Sequence, residues 1–111
     1  MDSILTSIKK LLGIEETYTY FDTDIIIYIN SAIMSLTQLG VGPSTGFVIS
    51  DSSQTWTNFI GERTDIESIK SYIYLKVRLI FDPPANAFVN ESMIRQITEL
   101  EWRLNVQSEL T

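Results

Sequence analysis

Two short stretches of the sequence combine residue types and spacings that could bind a phosphate or a metal ion. The stretch GVGPSTG, residues 40–46, has closely spaced glycines, but a predicted helix precedes it and no lysine follows its last glycine. A dinucleotide loop needs a preceding strand, and a P-loop needs that lysine. Asp22 and Asp24 begin like a calcium loop, yet Ile27 occupies the sixth position, where glycine is required. These stretches therefore favour a turn and a helix cap.

A serine–lysine pair is a further candidate for catalysis. Ser7 precedes Lys10 by three residues, as in acyltransferases that use lysine, but the companion motifs SDN and KTG are missing. The sequence has no cysteine and no histidine, which removes the thiol nucleophile, the commonest general base and the commonest metal ligands. We therefore predict no catalytic site, no metal and no cofactor, and we expect that the chain is not an enzyme. An enzyme that uses only carboxylates and lysines remains an alternative.

Length and composition indicate one globular domain, residues 1–111. Apolar residues make up 44% of the chain and charged residues 20%, which is enough apolar surface for one modest core. No apolar run approaches the roughly 18 residues that cross a bilayer, so we expect no membrane partner and a cytosolic protein. The net charge of −6 argues against general affinity for DNA phosphates.

Apolar residues at spacings of three and four predict four helices. The helices run from Asp2 or Ser3 to Gly13, from an N-cap at Asp22 to Gly40, from Thr64 or Asp65 to before Pro83, and from about Asn86 to about Val106. Their core faces are Ile4, Leu5, Ile8, Leu11 and Leu12; Ile25, Ile29, Ile33, Leu36 and Leu39; Ile66, Ile69, Ile73, Val77 and Ile80; and Val89, Met93, Ile97, Leu100 and Leu104. Lys9 and Lys10 suit the negative end of the first helix.

The segment between helices two and three breaks the helical pattern with glycines and a proline. Residues 47–49 form a short β-favouring run, and TWTNF, residues 55–59, could be the returning strand. We expect Phe47, Trp56 and Phe59 to pin this segment onto the helices; the alternative is that part of it projects toward a partner. The predicted fold is all-α, an antiparallel bundle of about four helices with a small β-hairpin or loop insertion between helices two and three.

Two consecutive prolines make the connection between helices three and four stiff. Pro83 and Pro84 each fix φ and lack an amide donor, so the corner costs little conformational entropy on folding. The sequence therefore predicts a fixed angle between these two helices.

Some apolar residues lie outside the core faces of the predicted helices. Ile27 and Met34 fall opposite the main face of helix two, and Tyr72, Leu75 and Leu79 form a second stripe on helix three. This pattern indicates an oligomer contact, a central helix buried on all sides, or scattered exposed residues.

Helix four carries apolar residues on its charged side. Glu91, Arg95, Glu99 and Arg103 form a ladder of opposite charges at spacings of four, and Phe88, Trp102 and Val106 fall on that same side. Large apolar groups among paired charges are typical of an interface. We expect Trp102 to anchor a partner; the competing interpretation packs it against helix one of its own subunit.

Three stretches carry a resemblance to a known family. GVGPSTGF, YIYLKVRLIFDPP and QITELEWRLN, in this order and spacing, resemble the small head–tail connector (adaptor) proteins of long-tailed bacteriophages. The resemblance implies a mostly helical subunit in a ring of about twelve copies below the portal of a DNA-filled capsid. Such a ring extends the DNA channel and gives tail-completion proteins or the tail a docking surface. The protein would be made in the host bacterial cytoplasm and located in the virion, at the head–tail junction.

The acidic charge agrees with such a channel. If many carboxylates face the lumen, DNA passes without adsorbing, because like charges repel. The alternative function is a cytosolic helical regulatory module that binds one protein partner as a monomer or dimer.

Overall fold

A computed structural model describes residues 3–110 as a helical bundle. Its five helices are α1 (Ile4–Leu11), α2 (Asp22–Gln38), α3 (Trp56–Ile60), α4 (Ile66–Phe81) and α5 (Ala87–Leu110). The predicted helices one to four correspond to α1, α2, α4 and α5. No strand is present within these residues beyond an isolated bridge between Ser3 and Thr55, so the predicted all-α fold class is confirmed.

Local capping chemistry sets the helix boundaries. Ser3 caps α1, because its hydroxyl accepts a hydrogen bond from the Thr6 amide at 3.2 Å; the alternative start at Asp2 lies outside the described residues. The predicted N-cap at Asp22 is wrong by one position. Phe21 occupies the cap, and Asp22 is the first helical residue. Helix α4 ends at Phe81, before Pro83, as predicted.

Helix α4 lies at the centre of the bundle, in contact with α1, α2 and α5. The start of α2 meets the end of α4, where the rings of Phe21 and Phe81 pack edge to face with centroids 5.1 Å apart. The far ends of α2 and α5 also meet, because the Asn105 side chain donates to the Leu39 carbonyl at 3.2 Å. Helices α2 and α5 therefore run antiparallel to α4.

The core follows most of the predicted faces but stops short of the corner. Helix α5 buries Met93, Ile97 and Leu104, whereas Val89 is exposed and does not belong to the core. Ile80, on the predicted core face of α4, is also exposed. One side of the last turn of α4, together with the first turn of α5, therefore lies outside the packed interior, whereas Phe81 still packs on Phe21.

A short helix replaces the predicted returning strand. Thr55 and Asn58 form a reciprocal capping box, in which the Thr55 hydroxyl accepts from the Asn58 amide at 3.1 Å and the Asn58 side chain accepts from the Thr55 amide at 2.9 Å. These bonds start α3 at Trp56, although the residues favour strands by type. Of the two predicted forms of this segment, the structure has the loop and not the hairpin.

The loop approaches α3 closely at Gly42. A Cβ atom at this position would lie 2.5 Å from Cε1 of Phe59, and its φ of +84° belongs to the left-handed region. Only glycine meets both conditions without strain. The GVGPSTG stretch is therefore a packed turn.

Candidate interaction surfaces

The structure divides the residues predicted from the apolar stripes into buried and exposed groups. Tyr72 and Leu75 are buried in the core, which matches the interpretation of a central helix buried on all sides and not an oligomer contact. Helix α4 is apolar on two sides because neighbouring helices cover both of them. Leu79 is half-buried against the core. Ile27 and Met34 are exposed on α2, at 58% and 64%.

Tyr72 has a polar partner at the edge of the core. Its hydroxyl donates to Oε2 of Glu101 on α5 at 2.8 Å. Burial raises the pKa of Tyr72 well above its usual range, and the Glu101 carboxylate raises the pKa further. This contact ties α4 to α5 and gives Tyr72 a structural role.

Ile27 and Met34 form one wall of an apolar groove, and the loop at residues 46–48 forms the other. Val48 is 69% exposed, and Phe47 lines the groove beside it. The groove has a volume of about 380 Å³. Its remaining lining residues are Asn30, Ser31, Thr37, Gln38 and Gly46. None of the lining side chains ionises, and we call this feature the α2 groove.

Asn30 fixes the loop wall of the α2 groove. Its side chain donates to the Ile49 carbonyl at 3.0 Å and accepts from the Ile49 amide at 2.8 Å. The Ile49 side chain is buried in the core. The groove is therefore already formed in the isolated subunit. Sequence reasoning missed Asn30 and Val48, because no local pattern connects Asn30 with Ile49, 19 positions further along the chain.

The loop aromatics lie against the helices. The indole of Trp56 is buried and donates to the Ser7 hydroxyl at 3.0 Å. Phe59 is buried, and Phe47 stacks on it with ring centroids 5.1 Å apart. These contacts hold the segment on the bundle, as the pinning interpretation expects.

A second apolar surface lies on the outer side of α5. Trp102 is 68% exposed, and Val106 is half-buried one turn later. Both line a depression of about 290 Å³ beside Asp65 at the start of α4. Within the predicted charge ladder, Arg103 pairs with Glu99 at 2.7 Å. We call this feature the α5 surface; the structure does not pack Trp102 into its own core.

The corner between α4 and α5 presents Phe88, the most exposed large apolar side chain described. Phe88 is 81% exposed, and its neighbour Val89 is also exposed. The Asn86 side chain accepts hydrogen bonds from the Phe88 amide at 2.8 Å and the Val89 amide at 3.3 Å. These bonds fix the first turn of α5 directly after Pro83 and Pro84.

The buried side chain of Lys9 orders the segment before α2. Sequence reasoning had assigned this lysine only to the end of the first helix. The Lys9 ammonium donates to the carbonyls of Glu16 at 3.0 Å and Tyr18 at 2.7 Å. It also lies 2.8 Å from Oδ1 of Asp22, as an ion pair without the angles of a hydrogen bond. One signal was present in the sequence: Lys9 follows Leu5 by four residues, on the edge of the apolar face of α1.

The described residues contain no cluster that suggests metal chemistry and no helix suited to a membrane. No group of three or more acidic, histidine or cysteine side chains within residues 3–110 could hold a metal ion. No helix in this range has both the length and the hydrophobicity needed to cross a bilayer.

Comparison with known proteins identifies the family. A family model described as phage connector protein matches residues 4–111, and the chain belongs to this family. The resemblance found in the sequence is thereby confirmed, and the chain is a structural connector of a phage particle. No curated protein and no solved structure matches the chain.

Proposed function

We propose that this connector forms a ring of about twelve copies below the capsid portal, where it extends the DNA channel and gives tail-completion proteins or the tail a docking surface. The observation that carries the proposal is the presence of two apolar surfaces that share no residue, the α2 groove and the α5 surface. Each lies on the outside of a completed core.

Two different interaction surfaces on one subunit suit a ring better than they suit a symmetric dimer. In a closed ring each subunit meets its neighbours through two different patches, whereas a two-fold dimer uses one patch twice. A connector must also meet the portal on one side and tail components on the other. A subunit with separate surfaces can make these contacts at the same time.

The α5 surface has the composition of a binding hot spot. Trp102 stands beside the Glu99–Arg103 ion pair, and an exposed tryptophan next to paired charges matches the aromatic centre and polar rim of protein interfaces. We assign Trp102 as an anchor for the portal or for a neighbouring subunit, with Val106 as part of the same contact.

The charge of the chain suits a DNA channel. Each subunit contributes a net charge of −6, so a ring of many copies repels the phosphate backbone at every position where carboxylates face the lumen. DNA then passes through the lumen without specific binding.

Electron microscopy of the full chain mixed with the portal protein of the same phage tests this function. The expected result is a ring of density that is built from several subunits and is coaxial with the portal. A chain that stays monomeric, leaves the portal bare and instead binds one cellular protein contradicts the proposal and supports a regulatory module.

A further inference from the structure

Any segment that binds in the α2 groove should be uncharged. Its lining combines apolar side chains such as Ile27, Met34 and Val48 with neutral polar ones, and it contains no ionisable group to pair with a charge from a partner. Burying an unpaired charge against such a lining is costly, and the centres of interfaces are depleted in charged residues. An occupant should therefore present a large apolar side chain within a neutral segment.

The chain itself contains such a segment at the corner. Residues 83–90, PPANAFVN, include no ionisable side chain. They present Phe88 and Val89 to solvent. Two other aromatic side chains are strongly exposed, but the ring of Tyr20 packs on Phe21 within its own subunit. Trp102 is flanked directly by Glu101 and Arg103, so its insertion would bring charges to the neutral groove. We call residues 83–90 the corner segment.

The corner segment is held in one conformation before it meets a partner. Pro83 and Pro84 fix φ at two consecutive positions, and the Asn86 side chain binds the amides of Phe88 and Val89. A rigid segment loses little conformational entropy on binding, and a preformed groove loses little as well. Both halves of the contact are therefore preorganised.

The corner segment lies away from the groove of its own subunit. The contact between Phe21 and Phe81 places the corner at the start of α2. The lining residues from Ile27 to Gln38 extend from about 8 Å to about 24 Å along the helix from that end, at about 1.5 Å per residue. A second copy must supply the occupant.

We propose that the corner segment of one subunit inserts Phe88 into the α2 groove of the next subunit. This inference rests on the proposed ring, and it names the contact that links its subunits. The contact is head to tail, since the two halves are different surfaces, and such a contact repeats until the ring closes. The α5 surface with Trp102 is then left for the portal or the tail. In this arrangement the rigid corner holds Phe88 in the orientation needed to enter the groove.

Cross-linking between introduced cysteines tests this contact, and the absence of native cysteine removes the background. The test variant is Ser31→Cys with Ala87→Cys, which places thiols on the groove lining and beside Phe88 without changing either apolar partner. The control is Ser31→Cys with Gln107→Cys, whose second thiol lies on the α5 surface. A short bifunctional thiol reagent is added to each full-length variant, both concentrated alone and bound to the portal protein.

The expected result is a ladder of covalent oligomers for the test variant and no ladder for the control. If light scattering shows oligomers but the test variant gives no ladder, the inferred contact is wrong, while the proposed ring is still supported. A ladder only in the control also overturns the inference, because it shows that the α2 groove of one subunit contacts the α5 surface of the next. If no oligomer forms under either condition, the proposed ring itself fails.

A mixing experiment tests the direction of the contact. Met34→Asp introduces a charge into the groove, and Phe88→Asp introduces one at the corner; both positions are exposed, so both variants should fold. Each variant alone should lose assembly. In an equimolar mixture, one intact groove meets one intact corner, and the expected product is a dimer that grows no further. Assembly of either single variant as in the wild type contradicts the proposal.

Discussion

The Asn30 side chain binds the backbone of Ile49 through both its oxygen and its nitrogen, at 2.8 Å and 3.0 Å. This pair of bonds imitates the pairing of one strand residue with a neighbour, and it joins the loop to α2 without a sheet. Since Val48 precedes Ile49, the same contact determines where the outer wall of the α2 groove stands. A single polar side chain thereby shapes an apolar surface.

Replacing Asn30 with Ala should release that wall. The Ile49 amide and carbonyl lose their partners, and we expect the free energy of unfolding to fall by about 1–3 kcal/mol. Urea denaturation measures this change. Ser31→Ala, at the next position and also in the groove lining, is the control and should stay within about 0.5 kcal/mol of the wild type. Equal stability of the two variants would show that the paired bonds contribute nothing.

Lys9→Met should destabilise the fold although it replaces a buried charge with an apolar side chain. The substitution leaves two carbonyls and the Asp22 carboxylate without the ammonium, and we expect a loss of about 2 kcal/mol. Lys10→Met, one residue further on and exposed, is the matched control. A stability loss of the same size for both would contradict the role of Lys9 in holding the segment before α2.

Tyr72 should make stability fall at alkaline pH. Its pKa is raised in the folded state, above about 10 in the unfolded chain. The contribution is therefore fully present below about pH 10 and declines as the pH rises above it, because the unfolded chain releases the proton first. In Tyr72→Phe this decline should be shallower, while stability at neutral pH drops by about 1 kcal/mol with the lost bond to Glu101. Denaturation across neutral and alkaline pH checks both effects; parallel curves would refute the coupling.

Replacing Pro83 and Pro84 together with Ala should impair assembly more than folding. The substitution frees φ at two positions and loosens the angle between α4 and α5, while the helices themselves keep their capping and core contacts. Circular dichroism should show nearly unchanged helix content, and portal binding should weaken. Pro43→Ala serves as the control, because Pro43 is the one proline outside the corner and is exposed in the loop. Wild-type portal binding by the double variant would count against a geometric role for the corner.

The helices were predictable because their signals are local. Apolar periodicity, the cap at Ser3 and the stop before Pro83 each lie within a few residues of the boundary they set. The same periodicity marked Tyr72 and Leu75 as apolar but could not show which neighbours cover them. That depends on the central position of α4, which arises only from tertiary packing.

The interaction surfaces were predictable in part. Ile27, Met34, Phe88 and Trp102 were found as apolar residues off the core faces, and the structure exposes all four. The groove that Ile27 and Met34 share was not predictable, because its second wall comes from a loop held by a long-range side-chain contact. Helix α3 was missed since residue types favoured a strand, and the capping box of Thr55 and Asn58 outweighed that preference.

One measurement tests most directly whether the connector assembles through its exposed apolar surfaces. Light scattering gives the mass of the complexes that form when the wild type or Trp102→Ala is mixed with the portal protein. Truncating a central anchor typically costs at least about 2 kcal/mol of binding, so the variant should keep the thermal midpoint of the isolated subunit and lose ring formation or portal docking. Ile94→Ala, also exposed on α5, is the control and should assemble normally. A Trp102→Ala subunit that melts much earlier and still assembles on the portal would contradict the account.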